Sequence, residues 1–235
     1  MKIVAIIVTL LLLGLGFYMA IFQAPTEQTM GDIQRIFYYH LPSWWTAFLL
    51  YFVNFIASII YLRRRTARSD ALALASAEMG VVFSAVGLTT GPLWAKPVWG
   101  IWWTWDARLT TALILFLIYV SYLMLRRFGE GDQTPTIAAA FAIFGFIDVP
   151  IVYMSIRWWR TQHPQPVIAG GPNAGLDPHM RPALYTNLLA FMCLAALVVW
   201  FRYSVAMVER RAEDAAAQRA LAEDAPRNLQ SQEVR

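Results

Sequence analysis

Charge is scarce in this chain, with Asp, Glu, Lys and Arg together making up 14% of 235 residues. A soluble domain carries about a quarter charged residues, so an ordinary water-soluble enzyme and a disordered chain are both excluded. Cysteine is scarcer still. Cys193 stands alone in the apolar run from Leu188 to Val199, which leaves no disulfide scaffold and no Cys-based metal site. No G-x-x-x-x-G-K-[ST] phosphate loop occurs, so the chain cannot draw energy from ATP by itself. No internal repeat is evident, and no A-x-A cleavage site follows the first apolar run, which reads as an uncleaved anchor.

What fills the composition instead is apolar. The hydrophobic fraction is 58% and the mean hydropathy +0.48. Six runs are long enough for a bilayer core, which takes about 20 helical residues. They fall near Ile3–Phe22, Ser43–Leu62, Ala71–Pro92, Ala107–Leu125, Thr136–Ile156 and Pro182–Tyr203. Open sheet edges do not survive in hydrocarbon, so the expected fold is an all-α polytopic membrane protein of six transmembrane helices. Residues 1–203 form the membrane domain. Residues 204–235, rich in alanine and in charges of both signs, read as a cytoplasmic helical or disordered tail, with Pro226 ending its helix.

The net charge of +4 need not mean nucleic acid. Arg63, Arg64, Arg65 and Arg68 fill the second connection, Arg126 and Arg127 the fourth, and Arg202, Arg210 and Arg211 follow the last span. Basic residues in short loops mark the cytoplasmic side, which predicts N-in and C-in with three loops outward. That orientation sends nine of the ten tryptophans outward: Trp44, Trp45, Trp94, Trp99, Trp102, Trp103, Trp105, Trp158 and Trp159. An anchoring belt decorates both interfaces, so one-sided accumulation needs another cause.

The densest stretch is the third connection. If helical, it places Trp99, Trp102, Trp103 and Asp106 at i, i+3, i+4 and i+7, on one face of a segment lying at the membrane surface with the fold. Indoles offer a broad flat apolar area with one N–H donor each, which suits a planar aromatic ligand. His40 and His163 stand at the same depth, one from either side in sequence, and two neutral imidazoles can fill the axial positions of a haem iron. His179, in a Gly/Pro-rich loop, reads as a surface residue. Arg108, Arg35, Arg157, Arg160 and Lys96 are candidates for pairing anionic groups at the outer edge. Glu78 and Asp148 lie within spans, where an acid is either functional or a helix–helix bond. Pro92 and Pro150 are expected to kink or end their helices, and Gly87 and Gly91 to admit close helix approach.

Three motifs together resemble one known family. Trp99-Gly-x-Trp-Trp-x-Trp-Asp-x-Arg-Leu-Thr is similar to the tryptophan-rich signature of haem-handling proteins of cytochrome c maturation. Tyr38-x-His40-x-Pro42-x-x-Trp45 and Ser155-x-x-Trp158-Trp159-x-Thr161-x-His163 complete the likeness to the haem exporter protein C (CcmC) family, which has six spans in a chain of this length. The resemblance implies that haem b is held as non-covalent cargo, with His40 and His163 as axial ligands. It implies that Trp99, Trp102, Trp103, Trp105 and Asp106 hold the porphyrin face and edge. It implies a bacterial inner-membrane location with a periplasmic working face, and no enzymatic activity. The implied partners are a periplasmic haem chaperone, the ATPase and permease subunits of an ABC transporter, a small single-span protein and membrane lipid, with no nucleic acid. Two other readings compete with haem delivery. In one the bundle itself carries haem across the membrane, which needs a roomy or polar path through the spans. In the other it is a bis-His electron carrier, which would place histidine pairs within helices at both faces.

Overall fold

A computed structural model describes residues 2–164, 166 and 175–233. Seven α-helices run through them: α1 Lys2–Tyr18, α2 Phe37–Arg64, α3 Ala67–Trp99, α4 Ala107–Phe128, α5 Thr134–Phe146, α6 Asp148–Trp158 and α7 Arg181–Glu233. No strand occurs among the described residues. With the short turns that extend α1 and precede α2, and with α5 and α6 taken together, they form six segments long and apolar enough to cross a membrane. The chain is a polytopic all-α membrane protein.

The sequence sets most of the joints. Arg65 takes the left-handed conformation (φ 51°) after α2, and the Thr66 hydroxyl accepts from Ser69 N–H at 3.3 Å to open α3. The α2–α3 hairpin so made packs on α7, and α4 closes against α3. Between them the Tyr51 ring stacks on Tyr119 at 3.7 Å and 15°. The Tyr51 hydroxyl lies 2.8 Å from Ser84 Oγ. Ser84 spends its own proton on the Gly80 carbonyl, so Tyr51 is the donor. A Cβ at Gly80 would stand 2.4 Å from the Tyr51 ring, so glycine is what lets this ring lie flat against α3. On the other side Asn187 of α7 donates to the Gly16 carbonyl of α1 at 2.9 Å.

The two ends of the bundle differ. At the end carrying the arginine-rich connections, Arg126 of α4 grips Asp70 of α3 through two bonds of 2.7 and 2.9 Å, and Arg210 of α7 adds a third of 3.2 Å. One turn or two deeper, Arg202 holds Glu78 through bonds of 2.7 and 2.8 Å. Glu78 is therefore a helix–helix ion pair.

As expected, Pro150 interrupts the fifth span: α5 and α6 part at Ile147, because Pro150 lacks the N–H that would bond Phe146 and its ring crowds that carbonyl. Two other prolines do not end their helices. Pro92 does not end the third span; α3 runs through it and through Pro97 to Trp99. Pro226 likewise sits inside α7, where one proline removes one backbone bond without stopping the helix. The break at Ile147 also fixes how α6 packs. Whereas α5 lies against both α2 and α4, α6 keeps to α4.

Candidate functional site

The tryptophan-rich ends of α2, α3, α4 and α6 line a cavity of about 650 Å³, within the range of small-molecule and cofactor sites. His40, His163, Trp99, Trp102, Trp103 and Arg108 line it, so six of the eight residues singled out in the sequence share one space. Trp44, Trp45, Trp94, Tyr153, Gln34 and Met180 also line it.

Both imidazoles have their tautomer fixed by a neighbour. His40 Nδ1 lies 2.9 Å from Thr90 Oγ1. Thr90 directs its only proton to the carbonyls of Val86 and Gly87, so the proton between them belongs to Nδ1. His163 Nδ1 lies 2.9 Å from the Pro164 carbonyl, which can only accept. In each ring Nε2 is left as an unprotonated lone pair, the form in which imidazole ligates a metal. Burial and the nearby positive charge of Arg108 push the His163 pKa down to about 4, so this ring is neutral at physiological pH. Trp94 stands edge-on to His40 at 6.0 Å.

The tryptophan-rich connection is not a helix, contrary to the helical spacing of its residues. Gly100 takes φ 78° as the cap of α3, and Asp106 takes the extended conformation as the N-cap of α4, so residues 101–105 form an irregular strap between two helix ends. Gly at that position and Asp at the next start are the ordinary stop and start signals of helices. The strap still turns Trp102 and Trp103 to the cavity. Trp105, however, is 76% exposed and off the cavity wall, with its ring edge-on to Trp103 at 5.8 Å.

Asp106 is held within the protein by several hydrogen bonds. Its Oδ1 accepts from Leu109 N–H at 2.9 Å. Its Oδ2 accepts from the Thr104 and Thr161 hydroxyls at 3.0 and 2.9 Å. Thr161 Oγ1 in turn accepts from His163 N–H at 3.1 Å. Asp106 thus ties the strap, the start of α4 and the His163 loop into one unit, and it positions the second imidazole.

Of the five cations proposed for the outer edge, Arg108 alone lines the cavity among the described residues. It also donates to the Val152 carbonyl, joining α4 to α6. Arg35 donates to the carbonyls of Ala20 and Ala24 at 2.8 and 3.3 Å and pairs with Asp32 at 3.2 Å, which holds the first loop. Lys96 donates to the Gly100 carbonyl at 2.8 Å. Arg157 lies over the Tyr153 ring at 5.3 Å. His179 is exposed and bonds Asp177, as its surroundings in sequence suggested; most of the Gly/Pro-rich loop before it lies outside the described residues.

Three polar atoms on the cavity wall are buried with no partner: Trp94 Nε1, Trp103 Nε1 and Gln34 Oε1. An unmade hydrogen bond in such a place costs about 1–3 kcal/mol. Two of the three are donors, and with Arg108 they suit an anionic or carbonyl-bearing edge on whatever fills the space. Thr90, Thr161 and Gln34 were not foreseen, since each acts across helices or loops and carries no local signature. Trp94 belongs to the outward cluster of tryptophans read from the sequence.

Comparison with known proteins follows the same line. The family model described as "Heme exporter protein C" matches residues 1–218. A ccmC-like mitochondrial protein of cytochrome c biosynthesis from Marchantia polymorpha is 36% identical over 152 residues, 65% of this chain and 64% of that one. Heme exporter protein C of Bradyrhizobium diazoefficiens is 34% identical over 79% of this chain and 71% of its own. That of Escherichia coli K12 is 31% identical over 84% and 78% respectively.

Proposed function

The chain belongs to the haem exporter protein C family, and from that premise we propose that it binds haem b as cargo at its outer face and delivers it for c-type cytochrome assembly. His40 and His163 supply the two axial nitrogens, and Trp94, Trp99, Trp102 and Trp103 supply the apolar walls. The carrying observation is the pair of imidazoles on one cavity, each with Nδ1–H tied down and Nε2 free. Among the described residues no group of three His, Cys, Asp or Glu side chains converges. Two nitrogens are too few for a bare zinc site, but they suffice for an iron whose other four ligands come from a porphyrin.

The unpartnered indole N–H groups and Arg108 fit the carboxylates of the haem edge. With both axial positions filled by protein, the iron has no open site for oxygen chemistry, which suits a carrier and not an enzyme. Below the cavity the bundle is filled by Leu115, Tyr51 and Tyr119, all buried. That packing favours a site confined to one end over a path through the spans.

In this reading the working face is periplasmic, on a bacterial inner membrane. The acceptor is a periplasmic haem chaperone, and energy for its release comes from ABC transporter subunits, with a small single-span protein in the complex. Absorption spectroscopy of the purified chain with haem is the test. His40→Ala and His163→Ala each remove the low-spin bis-imidazole spectrum; if both variants retain it, the ligand assignment is wrong.

A further inference from the structure

We propose that haem passes between the bilayer and the cavity sideways, through the outer half of the seam between α2 and α6, with the Trp45 and Tyr153 rings as its gate. The proposal rests on the haem-binding reading for the identity of the ligand, and on separate features for the route. The first feature is the break at Ile147. Because Pro150 parts α5 from α6, the inner half of this span lies against α2, with the Phe55 and Phe146 rings stacked at 4.5 Å. The outer half turns to α4, where Arg108 holds the Val152 carbonyl. Across the seam that opens, Trp45 of α2 meets Tyr153 of α6 edge to face, with ring centroids 6.0 Å apart at 65°. Both rings line the cavity.

The depth of the cavity is the second feature. Its wall descends from His40 to Phe48 along α2, about 12 Å at the rise of a helix. Leu88, Leu109, Ala112 and Val152 face it from α3, α4 and α6. These lower walls are apolar and sit beneath the level of both imidazoles in the spans. Deeper along the same two segments Leu49, Phe52 and Ile147 are exposed, as lipid-facing side chains are. The two rings thus separate the apolar floor of the cavity from the face of the seam that a bilayer would cover. A flat macrocycle can cross edge-on when the Trp45 and Tyr153 rings part, with Arg157 moving with the Tyr153 ring it covers and the carboxylates trailing toward Trp94, Trp103 and Arg108 above.

The experiment locks the seam in the full-length chain. In a Cys193→Ala background, Trp45→Cys and Tyr153→Cys are introduced together and joined by a short thiol-to-thiol reagent that a reductant cleaves. The protein is mixed with phosphatidylcholine vesicles carrying protoporphyrin IX, and loading is followed as quenching of the remaining tryptophans. Linking is expected to slow loading tenfold or more, and reduction to restore it, within one and the same variant. Pro150→Ala, which lets α5 and α6 join as one helix, slows loading independently. Equal rates before and after linking overturn the route, as does the absence of quenching from vesicles in the unlinked protein. Since this porphyrin holds no iron, the readout does not depend on His40 or His163. Failure of the route and failure of the ligand assignment are thereby told apart.

Discussion

The two ends of this bundle treat polar groups in opposite ways. At the arginine-rich end, two carboxylates and three guanidiniums close on one another: Arg126 and Arg210 on Asp70, Arg202 on Glu78. At the tryptophan-rich end, two ring nitrogens keep free lone pairs, and the indole N–H groups of two wall residues, Trp94 and Trp103, are buried with nothing to bond. The ion pairs of the first end satisfy one another, although Asn54 Oδ1 and Ser58 Oγ nearby in α2 are buried without a partner. Polar groups within apolar surroundings are costly in either place; on the cavity wall a ligand can offset that cost.

The comparison predicts that substitutions at the two ends move different observables. The largest effect is at the open end. His163→Ala is expected to abolish the bis-imidazole spectrum, while thermal unfolding of the ligand-free protein shifts little, because the ring makes one bond to its neighbour's carbonyl. The reverse is expected of Asp70→Ala. Asp70 is buried and Arg126 partly so. Removing one partner of a fully buried pair costs about 3–5 kcal/mol, which bounds the loss from above. Unfolding in detergent should register that loss, with the haem spectrum of the surviving folded protein unchanged. A spectrum altered by Asp70→Ala, with stability intact, would erase the distinction between the ends.

Asp106 crosses the distinction and so sharpens it. It caps α4 and reaches His163 through Thr161. Asp106→Ala should cost about 1 kcal/mol of stability as a lost helix cap. It should also weaken haem binding, because the His163 loop is no longer tied to α4. Thr161→Val separates the two effects: it keeps the cap and cuts the tether. A haem affinity unchanged in both variants would confine Asp106 to capping.

Much of this was legible in the sequence, for identifiable reasons. A bilayer demands about 20 apolar residues per crossing, and six such runs stood out. His40, His163 and the tryptophans were found because charge and aromatic residues were distributed so unevenly about those runs. Helical spacing of its tryptophans left open whether the strap from 101 to 105 is a helix, although Gly100 and Asp106 carry the stop and start signals that exclude it. Thr90 under His40 was not legible, since that bond joins residues 50 apart in sequence. The break at Ile147 was half legible: Pro150 announced a kink, but only packing decides that α6 follows α4.

The smallest expected effect concerns Trp105, which motif resemblance places with the porphyrin contacts and geometry places outside the cavity. Its ring is mostly exposed and touches Trp103 at the edge, while Trp103 itself faces the cavity with a buried, unpartnered N–H. Trp103→Ala removes wall area and a donor together, so haem affinity should fall by about tenfold or more, in line with the 1–3 kcal/mol of an unmade bond and the lost apolar contact. Trp105→Ala removes neither, and surface changes of this kind stay within about 0.5 kcal/mol, so haem titration should find its affinity within about threefold of the parent. A fall as large as that of Trp103→Ala would mean that the strap folds over the ligand and brings Trp105 inward. The open end would then rearrange around its cargo, whereas the geometry described above has it already in place.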